Sequence, residues 1–321
     1  MLNIIKKFIG VAFAAALTCF PITASAQNAE AVDSGMVVYF QMGGNPGDAA
    51  TLARELGARD AARVLNVDLR EQHSGWNPQK MLKQANEALA AQPDAIIVMG
   101  HPGTAAMTSF INNAKSDGVV VIVNNNNLPG TGLSYFGLDN YGAGRNLASM
   151  TIADGNLGAN DTVLVYGAFI EGAPGADVAK GAVDVLTDAG VAFDTLQWSN
   201  EAVADPSLSV PVMVAYLETN PNTKAIIVPG HGGITAVLDK VLKDAGKAPG
   251  SVITSGFDIS PGAIQGVKDG YITTVLDQQP YLQGFLPIIA AVLEKKYGLG
   301  GLFLNTGGGS LNQGNVDALQ A

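Results

Sequence analysis

Ala95-Ile96-Ile97-Val98-Met99-Gly100-His101-Pro102-Gly103 and Ala225-Ile226-Ile227-Val228-Pro229-Gly230-His231-Gly232-Gly233 are near copies of each other, and Ala106 and Ala236 follow them at the same offset. In each, a short apolar run meets Gly-His, a second glycine and then helix-compatible residues. That order predicts a buried parallel strand, a tight turn and a helix start. A repeat at this distance implies two similar lobes. Ligands of open α/β sheets bind just beyond the carboxyl ends of such strands, so the matched ends are expected to face one shared cleft.

Outward from this repeat, the rest of the chain keeps a strand-helix alternation. Met36 to Phe40 predicts a first strand, and Gly43 to Asp48 a turn with Asp48 as helix cap. The helix is expected to reach about Leu56, and Val64 to Asp68 to form a second strand. Asn77-Pro78 opens a helix whose Met81, Leu82, Ala85, Ala88 and Leu89 share one face. Val119 to Val123 is too apolar for anything but a central strand. After Tyr135 to Asn140 the chain is expected to cross to the second lobe. There the strands are Val163 to Tyr166, Phe193 to Trp198, Ala225 to Val228 and Val252 to Thr254. Ile272 to Leu276, a helix from Tyr281 to Tyr297 and a last strand at Leu302 to Leu304 cannot make a core alone. They are expected to return across the hinge and complete both lobes.

Composition sets limits on partners and compartment. The formal net charge is −10, which disfavours nucleic acid and anionic membrane surfaces. Lys6 and Lys7 precede an apolar stretch from Phe8 to Phe20, and Ala24-Ser25-Ala26 fits small-x-small cleavage before Gln27. Residues 1–26 therefore read as a secretory signal peptide. The single cysteine, Cys19, lies inside it and matches a lipid-attachment box poorly. The mature chain would hold no thiol ligand or disulfide. We expect no cofactor and no metal: two imidazoles on opposed lobes supply too few ligands. G-x-S-x-G, a P-loop and H-E-x-x-H are absent from the sequence, which argues against an exported enzyme.

Asp117 to Asn125, Gly137-Leu138-Asp139-Asn140, Asp244-Ala245-Gly246, Gly256-Phe257-Asp258 and Asp277-Gln278-Gln279-Pro280 together resemble the ribose-type periplasmic sugar-binding proteins, the type I solute-binding components of ABC importers. The resemblance runs through the mature chain in order. It implies an α/β fold of two Rossmann-like lobes with parallel sheets, joined by a three-strand hinge. It places residues 34–136 plus 279–303 in the first lobe and 137–278 plus 304–321 in the second. It further implies a periplasmic, monomeric receptor that closes on a small polyhydroxylated ligand, a sugar, polyol or amino sugar, and delivers it to an inner-membrane ABC permease. Presentation of the ligand to a chemoreceptor, or binding of a non-sugar solute, would use the same fold.

The residues this resemblance assigns to the ligand are Asn45, Asn124, Asn125, Asp258 and Gln278; Gln41 and Asp48 flank the same first strand end and turn. Repetition at equivalent strand ends adds His101 and His231, whose bland alternative is a bond to a backbone carbonyl that shapes the turn. Family positions that carry stacking aromatics are Gly47 and Asp48 here, so Phe136, Phe169 and Trp198 become the candidate platforms. Trp76 reads as surface packing, and His73 as exposed and without a partner.

Overall fold

The computed structural model describes residues 33–318 apart from Gly172 and Pro174. The expected signal peptide and the last three residues lie outside this range. Strand β1 (Val37–Gly43) is followed by α1 (Ala49–Leu65), β2 (Asp68–His73), α2 (Pro78–Ala90), β3 (Ala95–Met99), α3 (Thr104–Ser116), β4 (Val120–Asn125) and β5 (Ser134–Gly137). The second series runs α4 (Asn140–Gly155), β6 (Thr162–Gly167), α5 (Ala176–Asp188), β7 (Ala192–Gln197), α6 (Asn200–Ala204), α7 (Ser209–Thr219), β8 (Ala225–Ile227), α8 (Gly232–Thr235), α9 (Leu238–Asp244), β9 (Ile253–Phe257), α10 (Pro261–Lys268) and β10 (Thr274–Asp277). Helix α11 (Pro280–Tyr297), β11 (Phe303–Asn305) and β12 (Gly309–Asn312) end the chain.

Two six-stranded sheets result, ordered β11-β5-β4-β3-β1-β2 and β12-β10-β9-β8-β6-β7. Pairing is parallel except for β12, which runs antiparallel to β10. The repeat strands β3 and β8 hold equivalent places, each beside the first strand of its series. Both are fully buried. Helices on both faces of a parallel sheet exclude water from either side, and this is why these strands are continuously apolar. The chain passes between the sheets three times, after β5, after β10 and after β11.

The helix crossings repeat too. In the first unit α1 packs on α11 through Gly57 and Gly284: a Cβ on either would lie 2.0 Å from a backbone oxygen, of Tyr281 and Arg54 respectively. In the second, α4 and α5 meet through Gly144 and Gly181, where a Cβ would lie 1.9 and 2.2 Å from the oxygens of Val178 and Tyr141. Only glycine permits backbones this close.

Several local expectations are corrected. Val64 and Leu65 finish α1, which ends on Asn66 at φ 47°, and the second strand is the polar Asp68–His73. As an edge strand it needs no apolar run. Asp48 precedes α1, but its carboxylate accepts from the Asn45 amide at 2.8 Å and makes no helix cap. The polar β12, also at an edge, escapes a search for apolar runs. His73 is half-buried and bonds Glu55 at 2.7 Å. Asn77 does cap α2, accepting from the Lys80 amide at 2.8 Å. Among the described residues no helix is long and apolar enough to cross a membrane.

Candidate functional site

Each sheet reverses its strand order once, between β1 and β3 and between β6 and β8. Connections leave in opposite directions at such a point, so a crevice opens outside the carboxyl ends of the two strands. In the first unit it is framed by Gly43-Gly44 and Gly100-His101, and in the second by Gly167-Ala168 and Gly230-His231.

One bonded chain of side chains links the two units. Asn125, at the end of β4, donates to the Oε1 of Gln278 at 3.1 Å and to that of Gln283 at 3.0 Å. Gln278, on the crossing from β10 to α11, donates to Asp258 Oδ1. Asp258 follows β9 of the second sheet and rests on Gly232, where a Cβ would come within 2.5 Å of its own. Asn125 and Asp258 both adopt φ 63°, and Gln279 φ 53°. Asn and Asp tolerate this left-handed region better than other non-glycine residues. These turns therefore aim the side chains without demanding glycine.

Arg54 is the charged centre of the first unit. It is fully buried on α1 and donates Nη1 to the Met42 carbonyl at 2.8 Å and Nη2 to Gln283 Oε1 at 2.9 Å. The Gly57–Gly284 crossing brings α1 and α11 close enough for that second bond. Burial lowers its pKa to about 10, partly offset by Asp258, so it stays a cation. Burial likewise pushes the Asp258 carboxyl up to about 6, against the Gln278 bond and with help from Asp277. Burial, and then Arg54, hold His101 down at about 4, so its imidazole is neutral at pH 7.

The sequence-derived candidates divide by what their polar atoms already hold. Asn125, Gln278 and Asp258 converge as described. Gln41 does not reach the cleft: fully buried, it donates to Met81 O at 2.7 Å and accepts from the Met99 amide at 3.0 Å, tying β1 to its neighbours. Asn124 is buried and donates to Gln283 O at 2.8 Å, a strut beneath the hinge. Phe136 packs in the first core with Phe40 and Ile122 because β5 alternates it inward. Asn45 and Asp48 stand on an exposed turn. Phe169 is exposed beyond β6, its amide donating to Gln197. Trp198 is core-packed against Tyr166.

His231 has both nitrogens engaged. Its Nδ1 accepts from the Ile234 amide at 3.1 Å, and its Nε2 lies 3.2 Å from Val203 O, which fixes the proton on Nε2. It is the cap of α8, the bland alternative. His101 differs, with a buried Nδ1 that has no hydrogen-bond partner among the described residues.

Two members of this network, Arg54 and Gln283, escaped the sequence reading, and Trp76, read there as surface packing, lies with its ring under the Arg54 guanidinium. Arg54 was detectable as an arginine on the inward stripe of α1, with Thr51, Ala58 and Ala61 at helical spacing. Trp76 directly precedes the cap Asn77, just as Trp198 precedes the cap Ser199. For a metal, Glu55, Glu71 and His73 bring ligand atoms within 4.8 Å of one another. The Arg59 guanidinium already pairs with both carboxylates, at 3.2 and 2.6 Å, and fills the cationic position. Ser255 is no exposed nucleophile: it is fully buried and accepts from Thr151 at 2.7 Å.

The chain is similar in fold to solved solute-binding proteins. A carbohydrate transporter of Acidothermus cellulolyticus solved with myo-inositol superposes with a TM-score of 0.72 at 22% identity, over 88% of this chain and 96% of that one. A solute-binding protein of Burkholderia graminis solved with D-arabinose gives 0.74 at 20% identity, over 89% and 97%. A periplasmic ribose ABC transporter protein of Conexibacter woesei gives 0.73 at 24%, over 88% and 94%. The curated xylose/arabinose-binding protein XylF of Sulfolobus acidocaldarius is 36% identical over 83 residues, which is 25% of this chain and only 20% of that relative's length. A family model described as periplasmic binding protein domain matches residues 47–296. With that match spanning most of the chain and the two switch-point crevices in place, this protein belongs to the periplasmic binding protein domain family.

Proposed function

We propose that the protein is an exported receptor that captures a sugar or polyol between its lobes and presents it to an ABC permease in the inner membrane. One observation carries the reading. Asn125 of the first unit, Gln278 of the hinge and Asp258 of the second form a single polar chain at the carboxyl ends of β4 and β9, the strands next to the switch points. An ionised carboxylate accepts two hydrogen bonds from a vicinal diol, and flanking amides both donate and accept. Hydroxyls bridging these groups favour the closed arrangement, because only there do they touch both lobes. The solved relatives with myo-inositol and D-arabinose support the same ligand class.

In this reading the lobes are residues 34–136 plus 279–303 and 137–278 plus 304–321, two of the cuts falling inside the paired hinge strands β5 and β11 of the first sheet, and they move about the three crossings as a monomer. Residues 1–26 direct export. The role is capture without turnover, in keeping with a Ser255 spent on a core bond. The test is a thermal-shift screen of refolded protein against pentoses, hexoses, cyclitols, sugar acids and amino acids. A ligand at 100 times its Kd stabilises by about 2.7 kcal/mol, a shift of several degrees. A response confined to sugars or polyols supports the proposal; a response to amino acids alone overturns it.

A further inference from the structure

The repeated Gly-His turns are half of a larger repeat. The Trp76 and His101 rings lie 5.5 Å apart at the ends of β2 and β3, and the Trp198 and His231 rings lie 5.5 Å apart at the ends of β7 and β8. The sheet positions are equivalent, so one tryptophan-histidine pair stands beside each switch point.

The two pairs differ in what they have left to offer. In the second unit Trp198 is 7% exposed, edge-on to Tyr166, and both His231 nitrogens are bonded. That pair is complete. In the first, Trp76 is 39% exposed and leans over Gly43, the last residue of β1, and Gly44 after it. A Cβ on Gly43 would come within 2.5 Å of its ring, and one on Gly44 within 2.8 Å of its Nε1. Three buried polar atoms around it, His101 Nδ1, Arg54 Nε and Thr51 Oγ1, have no hydrogen-bond partner among the described residues. Buried donors and acceptors are nearly always paired, so three orphans beside one ring point to a group supplied from outside.

The backbone supports this. Among the described residues the non-glycine positions at positive φ are the helix-end or turn residues Asn66, Gln92 and Asn156, the cleft residues Asn125, Asp258 and Gln279, and Trp76 at φ 59°. A bulky aromatic in the left-handed region is a true outlier, and such strain persists where a function holds it. Asn or Gly would fit that backbone more easily.

We infer that Trp76 is the aromatic platform of a first-lobe subsite, with His101 Nδ1, Arg54 Nε and Thr51 Oγ1 as its polar rim, and that the subsite takes the C–H face of an uncharged sugar or cyclitol ring. The inference rests on the sugar reading above and adds the ring contact and the charge. Arg54, 5.7 Å from the Trp76 ring, repels an ammonium placed on the platform. The neutral His101 offers no second cation, and Asp258 repels a carboxylate at the other end of the ligand. Amino sugars and sugar acids are thereby disfavoured.

The chain has two tryptophans, so fluorescence separates them. The probes are myo-inositol, D-xylose, D-ribose and D-galactose, with D-glucosamine and D-glucuronate as charged analogues. The neutral probe that binds wild type is expected to change the emission of Trp198→Phe and leave that of Trp76→Phe unchanged. Calorimetric affinity is expected to fall about tenfold or more in Trp76→Asn, which suits the backbone and keeps or raises Tm, and less in Trp76→Phe. The charged analogues are expected to bind at least about tenfold more weakly than their neutral counterparts. Wild-type binding that Trp76→Asn keeps within twofold, or emission that follows Trp198, overturns the platform alone. Equal binding of a charged analogue overturns the charge assignment. Wild type that binds none of the neutral probes overturns the sugar reading and the subsite with it.

Discussion

Asp258→Asn should trade affinity for stability, and the trade should depend on pH in a defined way. Burial lifts the Asp258 pKa from 3.8 to about 6 in the folded protein. The folded state therefore binds this proton more tightly than the unfolded chain, and stability falls as pH rises from about 4 to about 6. Each pH unit of displacement is worth about 1.4 kcal/mol, so holding the carboxylate ionised above pH 6 costs about 3 kcal/mol. The attraction to Arg54 is already contained in that displacement, because it is one of the influences that set the pKa. Asparagine keeps the size, tolerates the φ of 63° and can still accept from Gln278. Urea unfolding of both proteins at pH 4, 5, 6, 7 and 8 isolates the effect, since titrating groups not coupled to Asp258 cancel in the difference. The variant should match wild type at pH 4 and exceed it by up to about 3 kcal/mol at pH 7. Sugar affinity should fall about 10- to 100-fold, the worth of a charge-assisted hydrogen bond. A stability difference that stays flat with pH would refute the reasoning.

Three further outcomes follow from the same geometry. Gly284→Ala and Gly57→Ala should each destabilise by more than the 1–3 kcal/mol typical of overpacking, less about 1 kcal/mol of helix propensity, because a Cβ 2.0 Å from a carbonyl oxygen forces α1 and α11 apart; denaturant midpoints within error of wild type would contradict this. Asn77→Ala should cost about 1 kcal/mol in chemical unfolding and Asn77→Ser little, since only the side-chain acceptor to the Lys80 amide is needed. His231→Ala should lower Tm, whereas His231→Asn should restore most of the loss by capping Ile234; equal losses would show that the cap is not what the imidazole supplies.

Why some of this was legible in the sequence and some was not follows from burial. Parallel strands covered on both faces must be apolar throughout, so β3, β4, β6 and β8 announced themselves. Edge strands carry no such constraint, and both β2 and β12 were missed or displaced for that reason. Asp258, Gln278 and Asn125, which one hydrogen-bonded chain joins, were named through resemblance and the turns that follow apolar runs. Gln41, Asn124 and Phe136 sit on the same strand ends, yet a pleated strand points alternate side chains to opposite faces. Sequence position alone could not tell which of them point to solvent and which into the core. Arg54 was hidden by its helix, where an arginine reads as surface until the inward stripe is traced through Thr51, Ala58 and Ala61. Trp76 was hidden by its backbone, since nothing in Gly75-Trp76-Asn77 forecasts a tryptophan at positive φ.

The internal repeat shows how two similar units can differ in what they have left to offer a ligand. Both units keep what the backbone requires: a switch point, a glycine-paired helix crossing and a tryptophan-histidine pair just before or after a turn. What differs is whether each polar atom has found a partner within its own unit. His231 has spent both nitrogens on α8 and Val203, and it therefore holds the second lobe together. His101 has an unspent Nδ1 beside an unspent Arg54 Nε, and leaving such atoms buried costs about 1–3 kcal/mol each. A fold of marginal stability retains that cost only where something else returns it. Equivalent position and identical residue type therefore do not assign equivalent roles. The partner count at each nitrogen does, and in the proposed subsite it puts the ring contact on the first lobe, opposite the carboxylate that the second lobe contributes.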